Sequence, residues 1–211
     1  PIMGKMPGLE NLFVACGFTS GIAAAGGAGE AMANWIVDGD PGFNLFAFDV
    51  LRFGAIHAAP DFLYARAVES YASYYAIAWP GHEPASARPA RTSALYETLL
   101  ARGAVHGSKF GWERPNWFAR SGEARVEQPS FRRPNWFDAV GEEHRAVRER
   151  VAVIDMSSFT KAEITGPGAL GALQRIACND LDRAPGAIVY TQLLNPRGGI
   201  EADLTITRLD E

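Results

Sequence analysis

Two places in this sequence hold residues whose types and spacing could do chemistry. The first is Gly17-Phe18-Thr19-Ser20-Gly21-Ile22, a turn between an apolar run and a stretch rich in glycine and alanine. A strand that feeds such a turn into a helix brings backbone N–H groups and a helix N-terminus to an electron-rich ligand. Small residues also serve plain helix–strand contact, so composition leaves ligand binding and tight packing both open. The turn has neither G-x-G-x-x-G spacing nor the Lys-Ser or Lys-Thr that a P-loop needs. The second place is Asp203. Ile200, Ala202, Leu204 and Ile206 alternate with Glu201, Asp203, Thr205 and Thr207, so Asp203 points away from the apolar face of a strand. By itself that is the pattern of a solvated polar face.

Other reactive side chains do not cluster. His57, His82, His106 and His144 show no ligand spacing, and CxxC, HxH and HExxH are absent, so no metal site is expected. His144 falls on a helical stripe and reads as a packed histidine rather than a base. Cys16 and Cys178 lie far apart in unrelated contexts, which fits two buried thiols in a reducing compartment better than a disulfide.

Composition narrows the classes further. With 211 residues, 47% hydrophobic and 21% charged, the chain reads as globular, one large domain or two small ones. A net charge of -4 argues against a nucleic-acid partner, since phosphate binding needs a basic surface. No apolar run approaches the roughly 18 residues of a membrane span. The opening residues lack the layout of a signal peptide, so a cytoplasmic protein is expected, or a mitochondrial-matrix one in a eukaryote. The chain opens on Pro1 and stops straight after an alternating strand, so both ends read as cut.

The elements that must hold these residues follow from periodicity. Residues 11–17 read as a buried strand. Ile22, Ala25, Gly26, Gly29, Ala33 and Ile36 recur at helical spacing, and Asp38-Gly39-Asp40-Pro41 stops the helix. Aromatics crowd residues 43–79, with a helix expected over 61–71, an extended piece over 74–79 and a linker to 91. Thr92 or Ser93 can cap a helix running to Ala101, ahead of a strand over 104–110. The pentapeptide Arg-Pro-Asn-Trp-Phe occurs at 114–118 and 133–137 around a polar surface loop, and Trp117 and Trp136 read as packing anchors. Asp138 is placed to cap a helix with the stripe Val140, His144, Val147 and Val151. Strands are expected near 151–155 and 159–165, a helix from Gly166-Pro167, and a hairpin joining 188–194 to 200–207. The class is α+β or mixed α/β.

Residues 1–41 resemble the closing segment of the FAD-binding domain in the D-amino-acid-oxidase-like flavoproteins. There an apolar strand ends in Gly-Phe, as at Gly17-Phe18, and the next loop passes beside the flavin. Residues 43–79, with Phe48-Asp-Val-Leu-Arg-Phe53, look like the central domain of the dimethylglycine and sarcosine dehydrogenases. Ser93-Ala-Leu-Tyr-Glu97, Lys109 to Phe118, Gly141 to Arg148, Val153 to Ser158, Asn179-Asp180-Leu181 and Tyr190 to Asn195 with Gly198-Gly199 are similar to the glycine-cleavage aminomethyltransferase, or T-protein.

The resemblance implies the end of an FAD-binding domain over 1–50, a central connector over 51–91 and a truncated folate-binding domain over 92–211. It implies that Gly17, Phe18, Thr19, Ser20, Gly21 and Ile22 contact FAD, that Asp203 serves the reacting nitrogen of tetrahydrofolate, and that Tyr190 lies beside the folate. A carboxylate suits a nitrogen that gains charge as it attacks a one-carbon electrophile. Tyr190 reads equally as a core tyrosine on a strand. Two positions depart from the family pattern: Ala202-Asp203 replaces the usual pair of acids, and Thr207 stands where T-protein often has tyrosine. The implied activity is oxidation of an N-methyl amine such as dimethylglycine or sarcosine. The one-carbon unit passes to tetrahydrofolate, and oxygen or an electron-transfer protein reoxidises the flavin. The chain by itself is expected to be inactive. Two other classes stay open: a folate-dependent aminomethyl or methyl transferase without redox activity, and a non-enzymatic folate-binding module.

Overall fold

Each strand pair is a two-stranded antiparallel sheet formed by neighbours in sequence, the arrangement a short connection favours. The computed structural model describes residues 1–210, in two units that divide between Ser158 and Phe159.

In the first unit, β1 (Ile2–Lys5) pairs with β2 (Phe13–Cys16), and α1 (Gly21–Asp38) packs on this hairpin. Trp35 seats the helix. Its ring fills the space above Gly4, where a Cβ would lie 2.5 Å from it, and it meets Phe13 edge-on at 6.3 Å. Gly4 has φ +128°, so a side chain there is excluded by both backbone and space. The packed face of α1 is Ala24, Ala28, Ala31, Met32 and Trp35. The expected stripe of Ile22, Ala25, Gly26, Gly29, Ala33 and Ile36 is the exposed face, with Ile22 at 99%. Small residues on both sides had hidden which face is buried. The 11–17 run is not a buried strand either: Ala15 and Cys16 are exposed at a sheet of only two strands. Cys16 and Cys178 are both exposed thiols, not buried ones.

Three 3-10 turns (Phe46–Phe48, Val50–Arg52 and Ala55–Ala58) lead into α2 (Pro60–Ala72), which has Pro60 in its first turn. Residues 74–79 pair with no strand; they turn, and Tyr75 and Ile77 are exposed. Glu69 ties the next loop to α2. Its carboxylate accepts the Ala85 N–H at 2.6 Å, the Ser86 N–H at 3.1 Å and the Ser86 hydroxyl at 2.5 Å.

α3 (Tyr96–Ala101) begins later than expected, because Ser93 is drawn elsewhere: its hydroxyl accepts from the Leu95 N–H at 3.2 Å and donates to Asp155 at 2.5 Å. β3 (Ala104–Lys109) pairs with β4 (Trp112–Phe118), with a register shift at Val105/His106. The two Arg-Pro-Asn-Trp-Phe copies fold differently. One lies in β4, and the other turns into α4 (Phe137–Glu149). Their tryptophans nevertheless enter one cluster, with Trp117 buried against Val105 and Ala139, and Trp136, Ala119 and Val140 around it. Asp138 lies inside the first turn of α4 rather than at its cap. The packed face of α4 is Ala139, Val140, Glu143 and Ala146, while His144 and Val147 are exposed and Val151 lies past the end. Glu143 earns that place by accepting the Phe118 N–H at 2.9 Å.

Residues 151–155, and in the second unit 159–165, form no strand. α5 (Ala169–Ile176) begins after Gly168, with Pro167 in the turn ahead of it. β5 (Ile188–Leu194) and β6 (Ile200–Thr207) form the expected hairpin. Residues after α5 run along the free edge of β5. The Cys178 N–H donates to the Gln192 carbonyl at 3.0 Å, and Asn179 Nδ2 to the Tyr190 carbonyl at 2.7 Å. Thr191 is fully buried, and its hydroxyl accepts the Asn179 N–H at 3.1 Å.

Apolar side chains on the outer face of α1, Ile22, Ile36 and Val37, are left exposed.

Candidate functional site

The Gly17–Ile22 turn leaves β2 through Gly17, whose φ of +74° lies in the left-handed region. Ser20 occupies the cap position of α1 but makes no side-chain capping bond, and the first turn of the helix holds no acidic residue. The hydroxyl of Ser20 instead hydrogen-bonds the phenol of Tyr74, just past the end of α2. Ser20 first, and Thr19 after it, push the Tyr74 phenol below its ordinary range. A Cβ built on Gly21 would meet nothing within 4 Å, so the backbone there is open to close approach. Open amide donors at the positive end of an 18-residue helix suit an electron-rich ring edge. The residues present thus fit a flavin.

In the second unit Asp203 stands directly across β5–β6 from Gln192, and Tyr190 is paired with Thr205. All four lie on the face opposite Val189, Leu193, Ala202, Leu204 and Ile206, as the alternation required. Asp203 is exposed, and Tyr190 is 59% exposed, so Tyr190 is not a core residue. The nearby Asp203 carboxylate raises the Tyr190 phenol above its usual value and burial adds to this, while Gln192 pulls it the other way. The face therefore offers a carboxylate, a phenol and an amide in a row. That donor set fits the polar edge of a pterin, whose ring nitrogens both donate and accept.

The sequence pattern points to Asp203 and Tyr190 but not to Gln192, which shares their face, or to Tyr74, which meets the Gly17–Ile22 turn. Direct cross-strand register would have found Gln192. No local signal marks Tyr74, which is 54 residues from Ser20. The G-x-G-x-x-G spacing does occur at Gly166-Pro-Gly-Ala-Leu-Gly171, ahead of and inside α5. No strand precedes it, so the strand–turn–helix setting of a dinucleotide site is missing. No group of histidine, cysteine or acidic residues suited to a metal occurs among the described residues.

Residues 95–211 match the GCVT N-terminal domain, and residues 38–93 match the FAD dependent oxidoreductase central domain. The chain is 43% identical over 208 residues to a 4-methylaminobutanoate oxidase (formaldehyde-forming) of Paenarthrobacter nicotinovorans, covering 98% of this chain and 25% of that protein. It is 37% identical over 235 residues to human mitochondrial sarcosine dehydrogenase, covering 99% and 26%. The chain belongs to the dimethylglycine and sarcosine dehydrogenase family. A mouse family relative, the mitochondrial pyruvate dehydrogenase phosphatase regulatory subunit, is 42% identical over 214 residues, covering 99% and 24%. The chain thus spans about a quarter of the length of these relatives. The family's fold here is mixed α and β, an oxidoreductase central domain followed by the GCVT domain. FAD and folate are what these two domains imply for the family. No helix is long and apolar enough to cross a membrane among the described residues.

Proposed function

We propose that this chain is the middle of a flavin-dependent N-methyl amine dehydrogenase or oxidase, of the dimethylglycine or sarcosine type, that delivers the one-carbon unit to tetrahydrofolate. Residues 1–50 close the FAD-binding domain, 51–91 connect, and 92–211 begin the folate-binding domain. The observation that carries this reading is Asp203, held on an open hairpin face with Tyr190 and Gln192, in a chain that also carries the oxidoreductase central domain.

On this reading Gly17, Phe18, Thr19, Ser20, Gly21 and Ile22 lie beside FAD. The bound flavin supplies hydride acceptance, which side chains cannot. The protein's own part there is to present the first amides of α1 and to keep the turn fixed through Tyr74. On the folate side, the Asp203 carboxylate faces the reacting nitrogen, stabilises the charge it gains and takes its proton. The Tyr190 phenol donates to that carboxylate and keeps it turned along the face. A neutral phenol is needed for this, and the Tyr190 phenol, with an ordinary value of 10.0 that is raised further here, is neutral at physiological pH.

The test is to purify the intact polypeptide, record its visible spectrum and supply an N-methyl amine with tetrahydrofolate. A flavin spectrum bleached by the amine, with the methyl carbon recovered on folate, is the expected result. The regulatory-subunit relative favours a second reading, a non-enzymatic module on the same frame. A colourless intact protein that binds folate without turnover would establish it.

A further inference from the structure

Serine at a helix cap ordinarily turns its hydroxyl onto the amides of the first turn, which is why serine is favoured there. Ser20 does not: α1 has no side-chain capping bond, and the Ser20 hydroxyl is spent on the Tyr74 phenol. Tyr74 sits just past Ser73, the last half-turn of α2, with its own N–H on the Tyr71 carbonyl at 3.3 Å. Tyr74 is 41% exposed, so it is not a buried residue whose hydroxyl must find a partner within the protein. Its effect is to leave the first amides of α1 without an internal acceptor, in a turn that has no acidic residue.

We propose that Tyr74 is a positioning residue: by holding Ser20 away from the cap of α1, it keeps the first amides of that helix free for the flavin. This rests on the flavin reading above and deepens it. Tyr74 lies in the stretch matched by the oxidoreductase central domain, while Ser20 lies ahead of it. The central domain thereby sets the geometry of the flavin-side turn.

The test uses the intact polypeptide. Tyr74→Phe removes one hydroxyl and keeps the ring, which meets Tyr75 edge-on at 4.9 Å. The freed Ser20 hydroxyl then caps α1. The visible circular dichroism of the bound flavin changes, and the rate of flavin reduction by the amine falls about fivefold, the worth of one hydrogen bond. Melting is unchanged or rises. In a Ser20→Ala background, Tyr74→Phe adds little, because both act through one contact. Tyr75→Phe, next door and 94% exposed, matches the parent in every readout. A Tyr74→Phe protein with unaltered flavin dichroism, or a Tyr75→Phe protein altered as much, overturns the proposal. A parent protein purified without flavin overturns the flavin reading itself, and that is seen before any variant is compared.

Discussion

Tyr190 and Asp203 stand diagonally across one face of the β5–β6 hairpin, and the carboxylate of one raises the phenol of the other above its usual value. Diagonal neighbours on one face of a sheet are within reach of a side chain as long as tyrosine. A carboxylate so placed favours the neutral phenol. Asp203→Asn removes that carboxylate, so Tyr190 should ionise at lower pH. The tyrosinate absorbance of the variant, titrated beside the parent and beside Tyr190→Phe, reads this directly.

The same substitution separates the two halves of the chemistry. Asp203→Asn in the intact polypeptide is expected to slow one-carbon transfer to folate about a hundredfold, the usual reach of one proton-handling group. Flavin reduction by the amine should be untouched. Anaerobic single-turnover reduction and folate product formation, measured side by side, check the split.

A second contact bears on stability. Arg88 grips Glu113 through Nε at 2.9 Å and Nη2 at 2.6 Å, and the carboxylate side chain is 3% exposed. The same Nη2 also donates to the His106 carbonyl at 2.7 Å. Removing Arg88 strands the buried Glu113 carboxylate, so Arg88→Ala should cost about 3–5 kcal/mol in urea unfolding. Replacing both partners with apolar residues of similar volume should cost less.

Glu69 links pH to stability. The Ser86 hydroxyl, the Ala85 and Ser86 amides and the nearby Arg66 outweigh a small burial effect and bring its carboxyl from 4.5 to about 2. A depressed folded value means that the stabilisation is full above pH 4.5 and is lost as pH falls toward 2. The melting temperature of the parent should therefore drop across that window. Glu69→Gln should melt lower at neutral pH and lose this share of the acid slope.

What the sequence made legible was whatever depends on near neighbours. Strict alternation fixed β6 and the face that carries Asp203, and the Asn195–Gly199 turn fixed its pairing with β5. α1 was also visible, but not its orientation, because small residues line both sides and only Trp35 over Gly4 decides the matter. The strands expected at 151–155 and 159–165 are absent although their residues are apolar enough. No partner strand lies beside them, and β-propensity expresses little without one. The two Arg-Pro-Asn-Trp-Phe copies make the same point, since one pentapeptide serves as strand and as helix entry. The Ser20–Tyr74 contact was illegible because nothing local connects residues so far apart.

Gly103 offers a test of the β3–β4 frame. It has φ +96°, and a Cβ there would lie 2.5 Å from the Ala119 carbonyl oxygen, which is backbone and cannot swing aside. The Gly103 carbonyl in turn accepts the Ala119 N–H at 2.9 Å. Gly103→Ala should destabilise by about 2–4 kcal/mol, from a strained backbone and a close contact together. Urea unfolding followed by the fluorescence of buried Trp117 measures it.

On the proposed reading, one polypeptide holds a flavin site at the start of α1 and a folate site at Asp203, and moves a carbon between them. Intact protein given an N-methyl amine labelled with carbon-13 in the methyl group, together with tetrahydrofolate, tests it in one reaction. The label should appear on folate, and in the Asp203→Asn variant it should appear instead as free formaldehyde at an undiminished rate of flavin reduction. Label that never leaves the amine would overturn the proposed activity, and label that reaches folate equally well without the Asp203 carboxylate would overturn the role of Asp203.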